Sequence, residues 1–222
     1  RLPDLEEFED RTDIKEDANT GTDATVPPTE STFTGDLPFP REYAWDKEVL
    51  SLEEAHNGNT GLKPSGDPVR IGIIDDGVYQ HPDLDVNENL SVDLAGDGKD
   101  TLHPNEQHYH GAHVAGISAG QISGVAPDAE IVSMRYFSSG NTSGLFGSFV
   151  AAINAAIVTD CDVVNASLGF VTDLPESRSS LIDYVQNTIE ELADIADENG
   201  IVWVASAGNS SNNANELVPG AA

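Results

Sequence analysis

The stretch IGIIDDGVYQHPDL, Ile71 to Leu84, followed by HYHGAHVAG, His108 to Gly116, decides how this chain is read. The uninterrupted apolar run IGII ends in two carboxylates and a glycine. Such a run lacks the alternation of a half-exposed strand and predicts one covered on both faces. Asp75 then leaves the strand at its rim, where Gly77 can turn the chain. Downstream, the glycines and alanines of HGAHVAG permit a closely packed helix that holds His110 near the same rim. An aspartate ending a buried strand and a histidine opening a helix are the pair needed to activate a hydroxyl nucleophile. Taken singly, Asp75 reads more plainly as a turn or capping residue and His110 as a structural histidine.

Outward from this stretch, strands alternate with helices. VRIGII (Val69 to Ile74), EIVSM (Glu130 to Met134), DVVNAS (Asp162 to Ser167) and IVWVAS (Ile201 to Ser206) read as short buried strands. Between them Gly111 to Ala119, Phe146 to Val158 and Ser180 to Glu198 read as helices. The last has Leu181, Val185, Ile189, Leu192 and Ile195 on one face and Gly200 as its stop. This alternation predicts an α/β domain, a parallel sheet flanked by helices on both faces, incomplete at the C-terminus. Right-handed crossovers place the strand C-terminal ends, with Asp75, Ser167 and Ala207 to Asn209, on one edge, where sites form. Residues 1–36 are acidic, rich in Thr and Pro, and carry neither period, so they read as an extension or linker. Residues 37–222 read as the domain, opening with a short amphipathic helix around Trp45 to Glu54.

The chain has 222 residues, 38% of them hydrophobic, enough to bury one substantial core. No apolar run approaches the roughly eighteen residues that cross a bilayer. The net charge of −29, from 39 acidic against 10 basic residues, argues against nucleic acid or an anionic membrane as partner. It fits a solubilising surface, adaptation to brine, or steering of cationic substrates. The single Cys161 forms no intrachain disulfide and, with no basic neighbour in sequence, reads as a small core residue.

These motifs together resemble the first two-thirds of a subtilisin-like serine protease domain. An apolar strand ending in Asp-Thr/Ser/Asp-Gly before His-Pro-Asp-Leu matches IGIIDDGVYQHPDL, and His-Gly-Thr-His-Val-Ala-Gly matches His110 to Gly116 with alanine at 112. Asn-x-Ser-Leu-Gly matches Asn165 to Gly169, and Ala-Gly-Asn matches Ala207 to Asn209. The resemblance implies that Asp75 orients His110, that His110 is general base and then general acid, and that Asn209 donates its amide to the oxyanion. It implies that Ser167, Leu168 and Gly169 pair with an extended peptide on one side and Ser143 and Gly144 on the other. Gly208 would line the cleft and Phe146 the P4 pocket. The implied protein is a secreted endopeptidase whose partners are a peptide or protein substrate and a prodomain. No cofactor is required.

The nucleophile of the family lies in a Gly-Thr-Ser step well beyond the oxyanion asparagine, and this sequence runs only thirteen residues past Asn209. The serine is therefore expected on a C-terminal fragment outside the chain, the chain alone being inactive. The alternative is a catalytically inactive, peptide-binding relative. Ser206, Ser210 and Ser211 lack the glycine-serine helix start and read as structural. A metallohydrolase on His108, His110 and His113 lacks the glutamate of the HExxH pattern. The family's calcium-wrapping insertion, which acts with an aspartate matching Asp83, is missing from HVAGISAGQISGVAPDA. Calcium has another candidate site in Asp93, Asp97 and Asp100 of the loop DLAGDGKD, which reads more plainly as a solvated acidic turn. Asp76 resembles an acidic feature of kexin and furin relatives that selects basic residues. Its plainer reading is a turn residue meeting solvent.

Overall fold

A computed structural model describes residues 61–65, 67–97, 109–122, 124–137, 146–169 and 179–206, together with Leu50 and Leu52. Five strands form one parallel sheet: β1 (Arg70–Asp75), β2 (Val92–Asp93), β3 (Glu130–Arg135), β4 (Val163–Ala166) and β5 (Val202–Ala205), in the order β2-β3-β1-β4-β5. Among the described residues three helices connect them: α1 (His110–Ala119), α2 (Phe146–Val158) and α3 (Ser179–Glu198). This is the expected α/β architecture. Successive strand residues separate onto its two faces. Ile71, Ile73 and Ile131 pack with Val114, Ala115 and Ala119 of α1. Ile74, Val132, Met134 and Val164 pack with Phe149 and Ile153 of α2 and Leu192 and Ala196 of α3. Both faces of the centre are thus apolar, which is why the strands read as continuous runs rather than alternations.

β1 sits at the centre of the order. The chain leaves it for β2 and then β3 on one side and later returns across it to β4 and β5 on the other. Such a reversal opens a crevice at the strand C-terminal ends, and Asp75 is the last residue of β1. β5 differs from the expected buried strand. It is the edge of the described sheet, with Val202 60% and Val204 45% exposed. Cys161 is buried in the larger cluster, and burial pushes its thiol pKa up, as a core residue requires.

The short helix expected around Trp45 to Glu54 lies outside the described residues, except that Leu50 is exposed and Leu52 buried. The extension 1–36 also lies outside them. Among the described residues no helix is long and apolar enough to cross a membrane.

Candidate active site

Asp75 is fully buried at the end of β1. Its oxygens both stand 2.8 Å from His110 Nδ1, and its Oδ1 also accepts the Asp76 amide N–H at 2.8 Å. Its backbone oxygen accepts the amide N–H groups of Tyr136 and Phe137, fixing the residue against the end of β3. A carboxylate so placed favours the tautomer with hydrogen on Nδ1 and leaves Nε2 free to take a proton. The His110 side chain is 58% exposed, so that nitrogen is accessible. The Asp75 hydrogen bond raises the His110 pKa above 6.5, desolvation opposes it, and the charges of Asp75 and Asp76 add to the rise. The two residues expected to form the acid and base are therefore in direct contact.

The helix that carries His110 starts in an unusual way. Tyr109 occupies its N-cap position and supplies no side-chain cap bond. The first amides are instead met by Asp76: Oδ2 accepts His110 N–H at 3.2 Å, and Oδ1 accepts Gly111 N–H at 2.7 Å. Gly77, with φ of 113°, makes the turn that brings this carboxylate round. Asp76 is only 7% exposed, so the expectation of a substrate-facing or solvent-facing carboxylate gives way to a buried helix cap.

The remaining expected residues divide. Ser167 follows β4 with its Oγ donating to Asn165 Oδ1 at 2.8 Å; Leu168 is buried and Gly169 exposed. Phe146 opens α2 and meets Tyr184 of α3 edge-on, with ring centroids 6.2 Å apart. Ser143, Gly144, Gly208 and Asn209 lie outside the described residues, as do Ser210, Ser211, His108 and Asp100. His113 does not join His110; it lines a separate hollow of about 280 Å³ with Tyr79, His81, Asp83 and Tyr109. Among the described residues no group of three His, Cys, Asp or Glu could hold a metal.

Asp83 is engaged by protein. Its Oδ1 accepts Ile122 N–H at 2.8 Å and its backbone oxygen accepts Gln121 N–H at 2.9 Å, so the turn after α1 meets it directly. Asp93 and Asp97, offered as calcium ligands, both face Arg135. Arg135 Nη1 lies 3.0 Å from Asp93 Oδ1 and 2.8 Å from Asp97 Oδ1, and Nη2 lies 2.5 Å from Asp97 Oδ2. Sequence reasoning missed Arg135, which is fully buried and is the register partner of Asp75 on β3. A lone arginine directly after EIVSM, with acidic residues in the preceding loop, was the available signal.

A model of the subtilase family matches residues 66–222. The chain is 27% identical over 184 residues to the major intracellular serine protease of Bacillus subtilis (strain 168), covering 75% of this chain and 53% of that protein. It is 35% identical over 161 residues to the minor extracellular protease Vpr of the same organism, covering 67% of this chain and 18% of that protein. Kinship therefore assigns no compartment, and the chain spans about half or less of these relatives' length. The crystal structure of a lanthipeptide protease shares the fold, with TM-score 0.56 at 23% identity over 79% of this chain and 49% of that one.

Proposed function

Because this chain belongs to the subtilase family, we propose that it carries the acid and base of a serine endopeptidase that hydrolyses peptide bonds through an Asp-His-Ser triad. The observation that carries this reading is the contact between buried Asp75 and half-exposed His110 at the C-terminal edge of a parallel sheet. In this reading His110 Nε2 takes the proton of an attacking serine hydroxyl and returns it to the leaving amine. Asp75 stabilises the imidazolium that forms between the two steps. Asn209 donates its side-chain amide to the oxyanion, and Ser167 to Gly169 hold the substrate backbone as an added strand.

The sequence contains no Gly-Thr-Ser step, so the nucleophile is assigned to a C-terminal segment beyond these residues. The exposed valines of β5 support the idea that such a segment packs on this side of the sheet. A fluorophosphonate probe applied to the full-length protein is expected to label one serine beyond Ala222, and to label none after His110→Ala. Labelling of a serine within residues 1–222 would overturn the assignment, and no labelling of the wild type would overturn the protease reading.

The raised pKa of His110 sets the acid limb of the pH profile. General-base action needs the neutral imidazole, so kcat/KM is expected to rise with pH through a midpoint above 6.5. The shift is caused first by Asp75, so Asp75→Asn is expected to move the residual activity's midpoint to lower pH. A midpoint that stays in place in this variant would refute that cause.

A further inference from the structure

We propose that Asp76 is a positioning residue of this centre: its carboxylate ties the first amides of α1 to the end of β1 and so holds the His110 imidazole against Asp75. The proposal rests on the protease reading above. An α-helix begins with amides that have no partner within the helix. In α1 two of them, on His110 and Gly111, are satisfied by the single residue Asp76, 34 and 35 positions upstream of them, rather than by the N-cap residue Tyr109. Both Asp76 oxygens are occupied in this way, the arrangement that suits an ionised carboxylate at the positive end of a helix. The packing leaves no slack. A Cβ added at Gly111 would lie 2.5 Å from Gly77 O, 2.9 Å from Asp76 Oδ1 and 3.0 Å from Asp75 Cβ. His110 is thus held at two points, its main chain by Asp76 and its ring by Asp75. Substrate selection by Asp76 would need an oxygen turned to the cleft, and both are turned to amides.

The clamp carries a stability cost. Burial raises the Asp76 pKa above 3.8, the neighbouring charge of Asp75 adds to the rise, and the amides of Gly111 and His110 oppose it. For a carboxylate with a raised folded pKa, the stabilising contribution is complete below the ordinary value and is lost as pH rises through the folded one. The charged groups facing it are Asp75, its neighbour at the end of β1, and His110 on α1. On β3, the guanidinium of Arg135 is directed to Asp93 and Asp97 instead. Neutralising Asp76 therefore removes an unfavourable buried charge, and with it one of the charges that raise the His110 pKa.

The test uses Asp76→Asn and Asp76→Ser in the full-length protein, each keeping an oxygen that can accept one amide. The His110 ring is titrated by nitrogen NMR, and kcat, KM and melting temperature are measured. In both variants the His110 pKa is expected to fall and the acid limb of kcat/KM to follow it. kcat should drop roughly tenfold, less than the hundredfold that a displacement of about 1 Å can cost, with KM nearly constant. The melting temperature of Asp76→Asn should match or exceed the wild type at neutral pH. An unchanged His110 pKa with unchanged kcat, or a raised KM at constant kcat, overturns the proposal. Unfolding of both variants overturns it too, since Asp76 would then be scaffold only. Should the wild-type protein hydrolyse no peptide, the protease reading fails, while the NMR signal of the His110 Nδ1 proton held by Asp75 still decides the clamp, by its loss in both variants or its persistence.

Discussion

His110→Ala is expected to reduce kcat of the full-length protein by on the order of 10⁶, and Asp75→Asn by on the order of 10⁴, the scale known for the triad of subtilisin. Alanine removes the imidazole that Asp75 orients. Asparagine leaves the site filled and can still accept the Asp76 amide N–H through its side-chain oxygen. It cannot hold His110 as the carboxylate does, because an amide NH₂ turned to Nδ1 favours the tautomer with hydrogen on Nε2, the nitrogen that must accept a proton. The two losses are unequal because one variant lacks the base and the other misdirects it. His113→Ala is expected to retain activity of the wild-type order, since that ring lies in the hollow with Tyr79 and His81. Rates on an unstructured peptide, measured with a thermal melt to confirm folding, decide the matter. A His110→Ala protein within tenfold of wild type would end the protease reading, and equal losses at His110 and His113 would favour a metal mechanism.

β1, β3 and β4 were legible because burial on both faces leaves little room for polar residues, and β5 because its run stays apolar although it forms the exposed edge of the described sheet. All four strands expected from apolar runs are present, within a residue at each end. β2 was not legible. Val92–Asp93 lies in a stretch of glycine and aspartate, and only pairing with β3 makes it a strand. The Asp75 and His110 pair was legible because its two motifs carry their own backbone signatures. Asp76 was misread because its partners belong to a helix 34 residues away; the signal was the absence of a capping side chain at Tyr109. Arg135 was missed for a related reason. Charge in a strand ordinarily means exposure, and here burial is set by Asp93 and Asp97, about forty residues earlier.

Arg135 gives the second large effect, on stability rather than rate. Its side chain has no exposure, whereas those of Asp93 and Asp97 are 13% and 20% exposed. Removing a carboxylate takes compensation from a fully buried cation, while removing the arginine leaves two carboxylates that water can reach. Asp97→Asn is therefore expected to cost about 3 kcal/mol, the low end for breaking a buried pair, because Asp93 remains and Asp97 is itself partly hydrated. Arg135→Met, which fills the same space with an apolar chain, is expected to cost less. Urea unfolding of the three proteins at equal m-value measures the order. The difference should persist in 1 M salt, where a Debye length of about 3 Å quenches surface pairs but not a buried one. The register joins this pair to chemistry, since Arg135 lies opposite Asp75 across β1 and β3. Loosening the end of β3 also loosens the Tyr136 and Phe137 amides that hold the Asp75 backbone. Asp97→Asn should thus lower kcat more than KM even where the protein is folded. A variant that is destabilised by less than Arg135→Met, or that keeps full kcat, would show that the acidic loop only shields the arginine and has no part in holding the acid of the site.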